Sequence, residues 1–252
     1  MKIGLALSGG GSRGFAHLGV IKALDEMGLK PSMITGTSAG SIVGAPIAAG
    51  HSPDYIFETV ASIGIFSHLK FAFNRFGLFN LEKAENLFLR FLPDNSFESL
   101  QIPLIVCATD IENGEPVYYS EGELIKPILA SCCLPGIFEP MRFQGRLLID
   151  GGITDNLPVG PLKEACDFVI GVNVMPVSSS MPINSVKDVL MKSIFLAIRN
   201  NSGEQLKRCD IAIEPAEIYR YDGLNMSKAK EMYTIGYECA LRELEGKLSQ
   251  VL

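Results

Sequence analysis

Residues 33–50, MITGTSAGSIVGAPIAAG, carry no charge and contain four glycines. The longer uncharged run from Pro31 to Pro53 is long enough to raise the question of a transmembrane helix. Its Gly-x3-Gly-x3-Gly spacing matches a membrane helix contact face, but Pro46, the glycines and several Ser and Thr residues lower its hydrophobicity. We therefore predict a buried strand that ends near Thr35, a turn, and a helix that begins around Ser38.

Short apolar runs and helical patterns alternate along the rest of the chain. Further strands are predicted at Lys2–Leu7, Pro103–Thr109, Val117–Ser120, Arg146–Ile149, Asp167–Val174 and Asp210–Ile213. Helices are predicted at Phe15–Met27, 54–92, Glu123–Cys133, Asn184–Asn201 and Ser227–Leu248, with a flexible loop at Met175–Asn184. This order predicts a three-layer α/β fold, a mainly parallel sheet with helices on both faces, in a single domain over residues 1–252.

Composition excludes several classes of function. The net charge is −6 with no polybasic block, which argues against a nucleic-acid partner and against strong electrostatic docking on anionic membranes. Of the six cysteines only Cys132 and Cys133 are close in sequence, so we expect no zinc site. No signal peptide is visible after Lys2. We expect a reducing cytoplasm with the cysteines as small core residues.

The segment Gly36-Thr37-Ser38-Ala39-Gly40 matches the G-x-S-x-G nucleophile elbow. In such an elbow a sharp strand-to-helix turn exposes the serine and tolerates only small neighbours. The following helix would direct its N-terminus at Ser38, so the Ala39 N–H could donate to an oxyanion. A chance match in a glycine-rich chain is the alternative.

A glycine loop at residues 9–14, GGGSRG, satisfies the dinucleotide-binding pattern G-x-G-x-x-G after a predicted strand. That hypothesis requires an acidic residue at the end of the second strand, where this chain has Thr35 to Ser38. The same backbone N–H groups could instead stabilise an oxyanion, with Arg13 adding charge or bracing the loop. A purely structural glycine turn is the third alternative.

Asp150 follows the strand predicted at Arg146–Ile149 and precedes two glycines that would leave its carboxylate accessible. Alone, Asp-Gly is an ordinary turn signal. Together, the serine elbow, the glycine loop and this aspartate supply the nucleophile, oxyanion hole and base of acyl transfer.

At this point the chain closely resembles the patatin-like phospholipase family, especially its short bacterial members. The similar segments are GGGSRG at 9–14, GTSAG at 36–40, DGG at 150–152, ASCCLPGIFEP at 130–140 and NLPV at 156–159. The resemblance covers about residues 3 to 175. It implies a Ser38–Asp150 dyad without histidine, lipid acyl esters as substrates and no metal. It also implies an oxyanion hole around Gly9, Gly10, Gly11, Arg13 and Gly14.

The histidines support a dyad independently. An α/β-hydrolase triad runs Ser, acid, His, but no histidine follows His68. His17 lies near the glycine loop and is the second candidate base, although helix packing or capping is the favoured role; His51 lies a helix beyond Ser38. We expect an exposed Asp150 with a pKa of about 3.9, and hence an acidic limb below that of a histidine at about 6.5.

The sequence thus predicts a cytoplasmic serine lipid acyl hydrolase of the phospholipase A, lysophospholipase or esterase type, without a cofactor. It would act on a lipid or acyl ester, with transient, peripheral contact at a membrane surface. The alternative is an acyl-lipid-binding or regulatory protein with little turnover. The seven phenylalanines of residues 66–91 are predicted to form a helical layer over the sheet, or an acyl pocket or lid with Lys70 and Arg75 facing headgroups.

Overall fold

The computed structural model describes residues 1–63, 85–176, 183–223 and 225–247. These residues form an eight-stranded sheet. Its strands are β1 (Ile3–Leu7), β2 (Met33–Thr37), β3 (Leu104–Asp110), β4 (Glu115–Tyr119), β5 (Met141–Phe143), β6 (Arg146–Asp150), β7 (Phe168–Val172) and β8 (Ile211–Ile213). The order is β5-β6-β3-β2-β1-β7-β8, and β4 also pairs with β3. Strands β3, β2, β1, β7 and β8 are mutually parallel, whereas β4, β5 and β6 pair antiparallel.

The helices of the described ranges are α1 (Phe15–Glu26), α2 (Ala39–Ala48), α3 (Pro53–Ile63), α4 (Glu85–Phe88), α5 (Ile125–Ser131), α6 (Gly160–Ala165), α7 (Val186–Leu206) and α8 (Ala229–Glu245). Strand β1 shows that both faces of the sheet are covered. Leu5 and Leu7 belong to the larger apolar core, whereas Ala6 between them packs in a second core with Leu157 and Val169. Because alternate residues of a strand point to opposite faces, each core lies on its own face.

The predicted α/β class with a mainly parallel sheet is confirmed. The uncharged stretch forms β2 and α2, and no helix within the described ranges is long and apolar enough to cross a membrane. Strand β5 was not predicted, because three residues are too few to show a period of two. Residues 64–84, with Lys70, Arg75 and five of the seven phenylalanines, and most of the predicted loop at 175–184 lie outside the described residues.

The pairing of β3 brings the ends of two other strands together. Strand β2 pairs with β3 as far as Thr37 opposite Cys107, and β6 pairs with it from Ala108, which lies opposite Asp150. Strand β4 spans both regions of β3, so β2 and β6 must share the other side of it. Along β3, the residues paired with β6 follow directly after those paired with β2. The last residue of β6, Asp150, therefore lies beside Ser38, which follows the last residue of β2.

Candidate active site

Ser38 occupies the sharp turn between β2 and α2 that the sequence predicts. Its φ is 51° and its ψ −119°, a left-handed conformation that non-glycine residues rarely adopt. The flanking glycines are required by close backbone approach. A Cβ at Gly36 would lie 2.6 Å from the carbonyl carbon of Gly40, and one at Gly40 would lie 2.2 Å from the Leu7 carbonyl oxygen.

Asp150 is the last residue of β6 and is buried, with 5% of its surface exposed. Its Oδ1 accepts a hydrogen bond of 2.8 Å from the Gly152 N–H. Burial raises the pKa of Asp150 to about 6, opposed by hydrogen bonds from the Gly152 N–H and the Ser38 side chain. The prediction of an exposed carboxylate near its ordinary pKa is therefore wrong, since the residue packs inside the fold.

Ser38 and Asp150 line one cavity of about 160 Å³. Apart from these two side chains its walls are mostly apolar and come from both ends of the chain: Phe15, Leu18, Val43, Ile56, Phe88, Leu129, Phe138, Phe195, Ile198 and Met226. A serine and a carboxylate in the wall of a mostly apolar cavity suit a ligand with a hydrocarbon chain and one polar junction. Of the predicted phenylalanine group, Phe88 lines this cavity and Phe91 is buried in the core.

The glycine loop borders the same cavity through Gly9, Gly10, Gly11 and Gly14, and α2 contributes Ala39. The Gly9 N–H already donates to Asn156, at 3.2 Å to its carbonyl oxygen and 3.1 Å to its Oδ1. The N–H groups of Gly10, Gly11 and Ala39 have no acceptor among the described residues. These three groups are therefore the donors that a bound oxyanion could accept from.

Arg13 does not line the cavity. Its Nε donates a hydrogen bond of 2.9 Å to the carbonyl oxygen of Tyr221. The neighbouring Ser12 N–H donates to the carbonyl oxygen of Gly223 at 2.7 Å, and its hydroxyl donates to that of Asp222 at 2.9 Å. Of the two roles that the sequence leaves open for Arg13, this geometry corresponds to bracing the loop.

Neither His17 nor His51 lines the cavity that holds Ser38 and Asp150. His17 is fully buried, and its Nε2 contacts the Ser8 carbonyl oxygen at 2.8 Å. Burial lowers the pKa of His17 to about 4. His51 Nε2 contacts the Phe91 carbonyl oxygen at 3.0 Å, and His68 lies outside the described residues. The order of the two pKa values is thus the reverse of the expected one: the pKa of Asp150, about 6, lies above that of His17, about 4.

Sequence reasoning assigned no role to two buried polar residues that contact the site. Ser131 accepts a hydrogen bond of 2.7 Å from the Ser38 N–H. Asn156 contacts Gly9 and donates through Nδ2 to the Ser202 hydroxyl at 2.8 Å. Both lie in segments that carry the family resemblance, and for Ser131 a polar residue in an otherwise apolar run was the available signal.

No group of three or more His, Cys, Asp or Glu side chains in the described ranges is placed to hold a metal ion. The six cysteines are free thiols; Cys107, Cys133 and Cys239 are buried and the other three are half-buried.

Comparison with known proteins gives relatives over most of the chain. An uncharacterized NTE family protein of Mycobacterium tuberculosis is 35% identical over 176 residues, which cover 69% of this chain and 49% of that protein. Lysophospholipase NTE1 of Scheffersomyces stipitis is 26% identical over 283 residues, 94% of this chain and 18% of the relative. The chain thus spans about half the length of the first relative and under a fifth of the second.

Among solved structures, VipD from Legionella pneumophila has a similar fold. The TM-score is 0.57 at 17% identity, over 97% of this chain and 67% of VipD. The family model described as patatin-like phospholipase matches residues 5–163, a range that holds the glycine loop, the serine elbow and Asp150. On that match, the chain belongs to the patatin-like phospholipase family.

Proposed function

We propose that this chain is a serine lipid acyl hydrolase of the phospholipase A, lysophospholipase or esterase type, with Ser38 as nucleophile and Asp150 as base. The observation that carries the proposal is the placement of Ser38 and a buried carboxylate together at an apolar cavity. Relatives named lysophospholipase support the same class of substrate. In this proposal the enzyme hydrolyses a carboxylic ester bond of the lipid.

The proton of Ser38 passes to Asp150. Burial raises the pKa of Asp150 to about 6, so the carboxylate is mostly ionised at neutral pH yet more basic than an ordinary aspartate. The Ser38 side chain opposes the rise in the pKa of this carboxylate and lines the same cavity, which supports Ser38 as the donor of the proton. A histidine is not required between them, because β6 itself orients the carboxylate.

The negative charge that develops on the substrate is stabilised by backbone donors. When Ser38 Oγ attacks the acyl carbon, the carbonyl oxygen becomes an oxyanion. Gly10, Gly11 and Ala39 offer N–H groups that have no acceptor among the described residues. Ala39 is also the first residue of α2, so the positive end of the helix dipole faces the same region.

The intermediate then collapses and expels the alcohol part of the lipid, which takes the proton from Asp150. This leaves the acyl group on Ser38. A water molecule gives a proton to Asp150 and attacks the acyl carbon, and the fatty acid leaves as Ser38 recovers its proton. The acyl chain occupies the apolar cavity, the headgroup stays outside it, and the protein meets the membrane surface transiently, at the cytoplasmic side.

The test is ester turnover together with covalent labelling. The wild type is expected to release fatty acid from lysophosphatidylcholine, to hydrolyse p-nitrophenyl esters and to react with a fluorophosphonate at Ser38. Ser38→Ala should remove both activities, and Asp150→Asn should lower kcat by at least about 10³-fold.

Asp155→Asn is the matched control. Asp155 is a buried carboxylate close in sequence, but it accepts from the Tyr118 hydroxyl at 2.7 Å and does not line the cavity. Its kcat should stay within about threefold of the wild type, because it has no contact with the reacting atoms. Hydrolysis by Ser38→Ala at the wild-type rate, or lipid binding by the wild type without labelling or turnover, would exclude the proposed hydrolase.

A further inference from the structure

The Ser131 hydroxyl bridges two backbone groups at the point where β2 leaves the sheet. Thr37, the last residue of β2, is registered with Cys107 of β3. In a parallel ladder with this register the next hydrogen bond would run from the Ser38 N–H to the Cys107 carbonyl. Ser131 Oγ contacts both groups: it accepts from the Ser38 N–H at 2.7 Å and donates to the Cys107 carbonyl oxygen at 2.6 Å.

The same short segment also holds the main chain of Asp150. The Asp150 N–H donates to the carbonyl oxygen of Cys133 at 3.0 Å. Ser131 is the last residue of α5, and the N–H groups of Cys132 and Cys133 donate back to Leu129 and Ala130 in that helix. The end of α5 is therefore a rigid connection between the two residues of the proposed dyad.

The carbonyl oxygen of Ser38 accepts more hydrogen bonds than its N–H donates. Its carbonyl oxygen accepts from the N–H groups of Ser41 and Ile42 and from the Ser41 hydroxyl at 2.7 Å. Its N–H has Ser131 as its one acceptor among the described residues. Since Ser38 has a φ of 51°, the turn needs outside contacts to stay in this conformation.

We propose that Ser131 is a positioning residue that fixes the serine elbow at reaction distance from Asp150. This inference rests on the proposed function. Loss of the hydroxyl would leave a buried N–H and a buried carbonyl unpaired, and the turn would shift to recover a partner. A displacement of about 1 Å at a reacting group can cost about 10²-fold in rate.

The first variant is Ser131→Ala. We expect kcat and the rate of fluorophosphonate labelling at Ser38 to fall by about 10- to 100-fold, with KM within about threefold, because Ser131 does not line the cavity. Ser131→Cys fills the same space with a weaker hydrogen-bonding group and should give an intermediate rate. Melting temperatures show whether each variant is folded.

Ser41→Ala is the matched control. It also removes a fully buried hydroxyl that contacts Ser38, but the Ser38 carbonyl keeps two backbone donors. Its labelling rate should stay within about threefold of the wild type.

The outcomes separate this proposal from the proposed function. A wild type that neither hydrolyses esters nor labels overturns both. A reactive wild type whose Ser131→Ala variant labels equally fast overturns the positioning role alone, and so does an equal loss in Ser41→Ala. If Ser131→Ala does not fold, Ser131→Cys decides: wild-type labelling overturns the role and slowed labelling with unchanged KM supports it.

Discussion

Two halves of the candidate site are held by different parts of the chain. In the dyad half, Ser38 and Asp150 are fixed by strands β2, β3 and β6 and by the end of α5. In the loop half, residues 9–14 are fixed by residues 221–223 and by Asn156. The first set of supports lies inside the range matched by the family model, whereas residues 221–223 lie beyond its end at residue 163.

The contacts of this loop with residues 221–223 are contacts to backbone carbonyls. Ser12 and Arg13 donate to the carbonyl oxygens of Tyr221, Asp222 and Gly223. Every residue type carries the same carbonyl, so the accepting segment can change its side chains without losing these bonds. The loop can therefore carry a recognisable sequence motif while residues 221–223, which hold it through backbone carbonyls, carry no motif of their own.

The largest effect that tests this division is expected at Gly11. Its φ is +61°, and an added Cβ would lie 2.1 Å from the Gly223 carbonyl oxygen. Gly11→Ala should push the loop away from residue 223 and displace the Gly10 and Gly11 donors. We expect kcat to fall by about 10²–10³-fold with little change in KM, measured by steady-state ester hydrolysis.

Gly28→Ala is the control for backbone strain. Gly28 has a φ of +73°, but an added Cβ would meet nothing within 4 Å. Its kcat should be unchanged, with a stability loss of about 1 kcal/mol. An active Gly11→Ala, or a Gly11→Ala variant with raised KM and normal kcat, would contradict the oxyanion role of this loop.

The next largest effect is expected at Asp150, in the pH dependence of the free energy of unfolding. Burial raises its pKa from the ordinary 3.8 to about 6, so the folded state favours the protonated carboxyl. Stability from this group is fully present below about pH 4 and is lost as the pH rises through the folded-state pKa near 6. A rise of this size corresponds to a penalty on the order of 3 kcal/mol in the wild type above that pH.

Asp150→Asn removes the charge, so it should be more stable than the wild type above pH 6 and similar to it near pH 4. Urea unfolding of both proteins across this range measures the difference, which should grow between pH 4 and 6 and then level off. A difference that stays constant with pH would show that Asp150 is not forced to ionise in a buried site.

The sequence predicts that Ser38 and Asp150 each follow an apolar run at the end of a strand, and both positions are confirmed. Strand β6 pairs antiparallel with β3, however, so the rule for the carboxyl ends of parallel strands does not bring the two residues together. They meet because β6 pairs with β3 beyond the end of β2, a register that the apolar runs do not predict. The burial of Asp150 was missed, since the end of β6 packs against α5, and the neighbouring glycines give no sign of that contact. Bracing by Arg13 was one of two roles left open, but its partner could not be predicted because the acceptor is a distant backbone carbonyl.

The smallest change in kcat is expected for His17→Gln, and this variant tests whether His17 or Asp150 is the base. It belongs to the loop half, where its Nε2 contacts the Ser8 carbonyl oxygen, and a glutamine can make a similar bond. His17→Gln should keep kcat within about threefold and leave the acidic limb of kcat/KM near pH 6, the value set by Asp150.

A wild-type limb near pH 6 alone does not exclude an ordinary histidine with a pKa of about 6.5. Burial lowers the pKa of His17 to about 4, close to the value of about 3.9 for an ordinary aspartate, so a limb near pH 4 fits either group and the two variants must decide between them. An inactive His17→Gln beside an active Asp150→Asn would assign the proton to His17 instead.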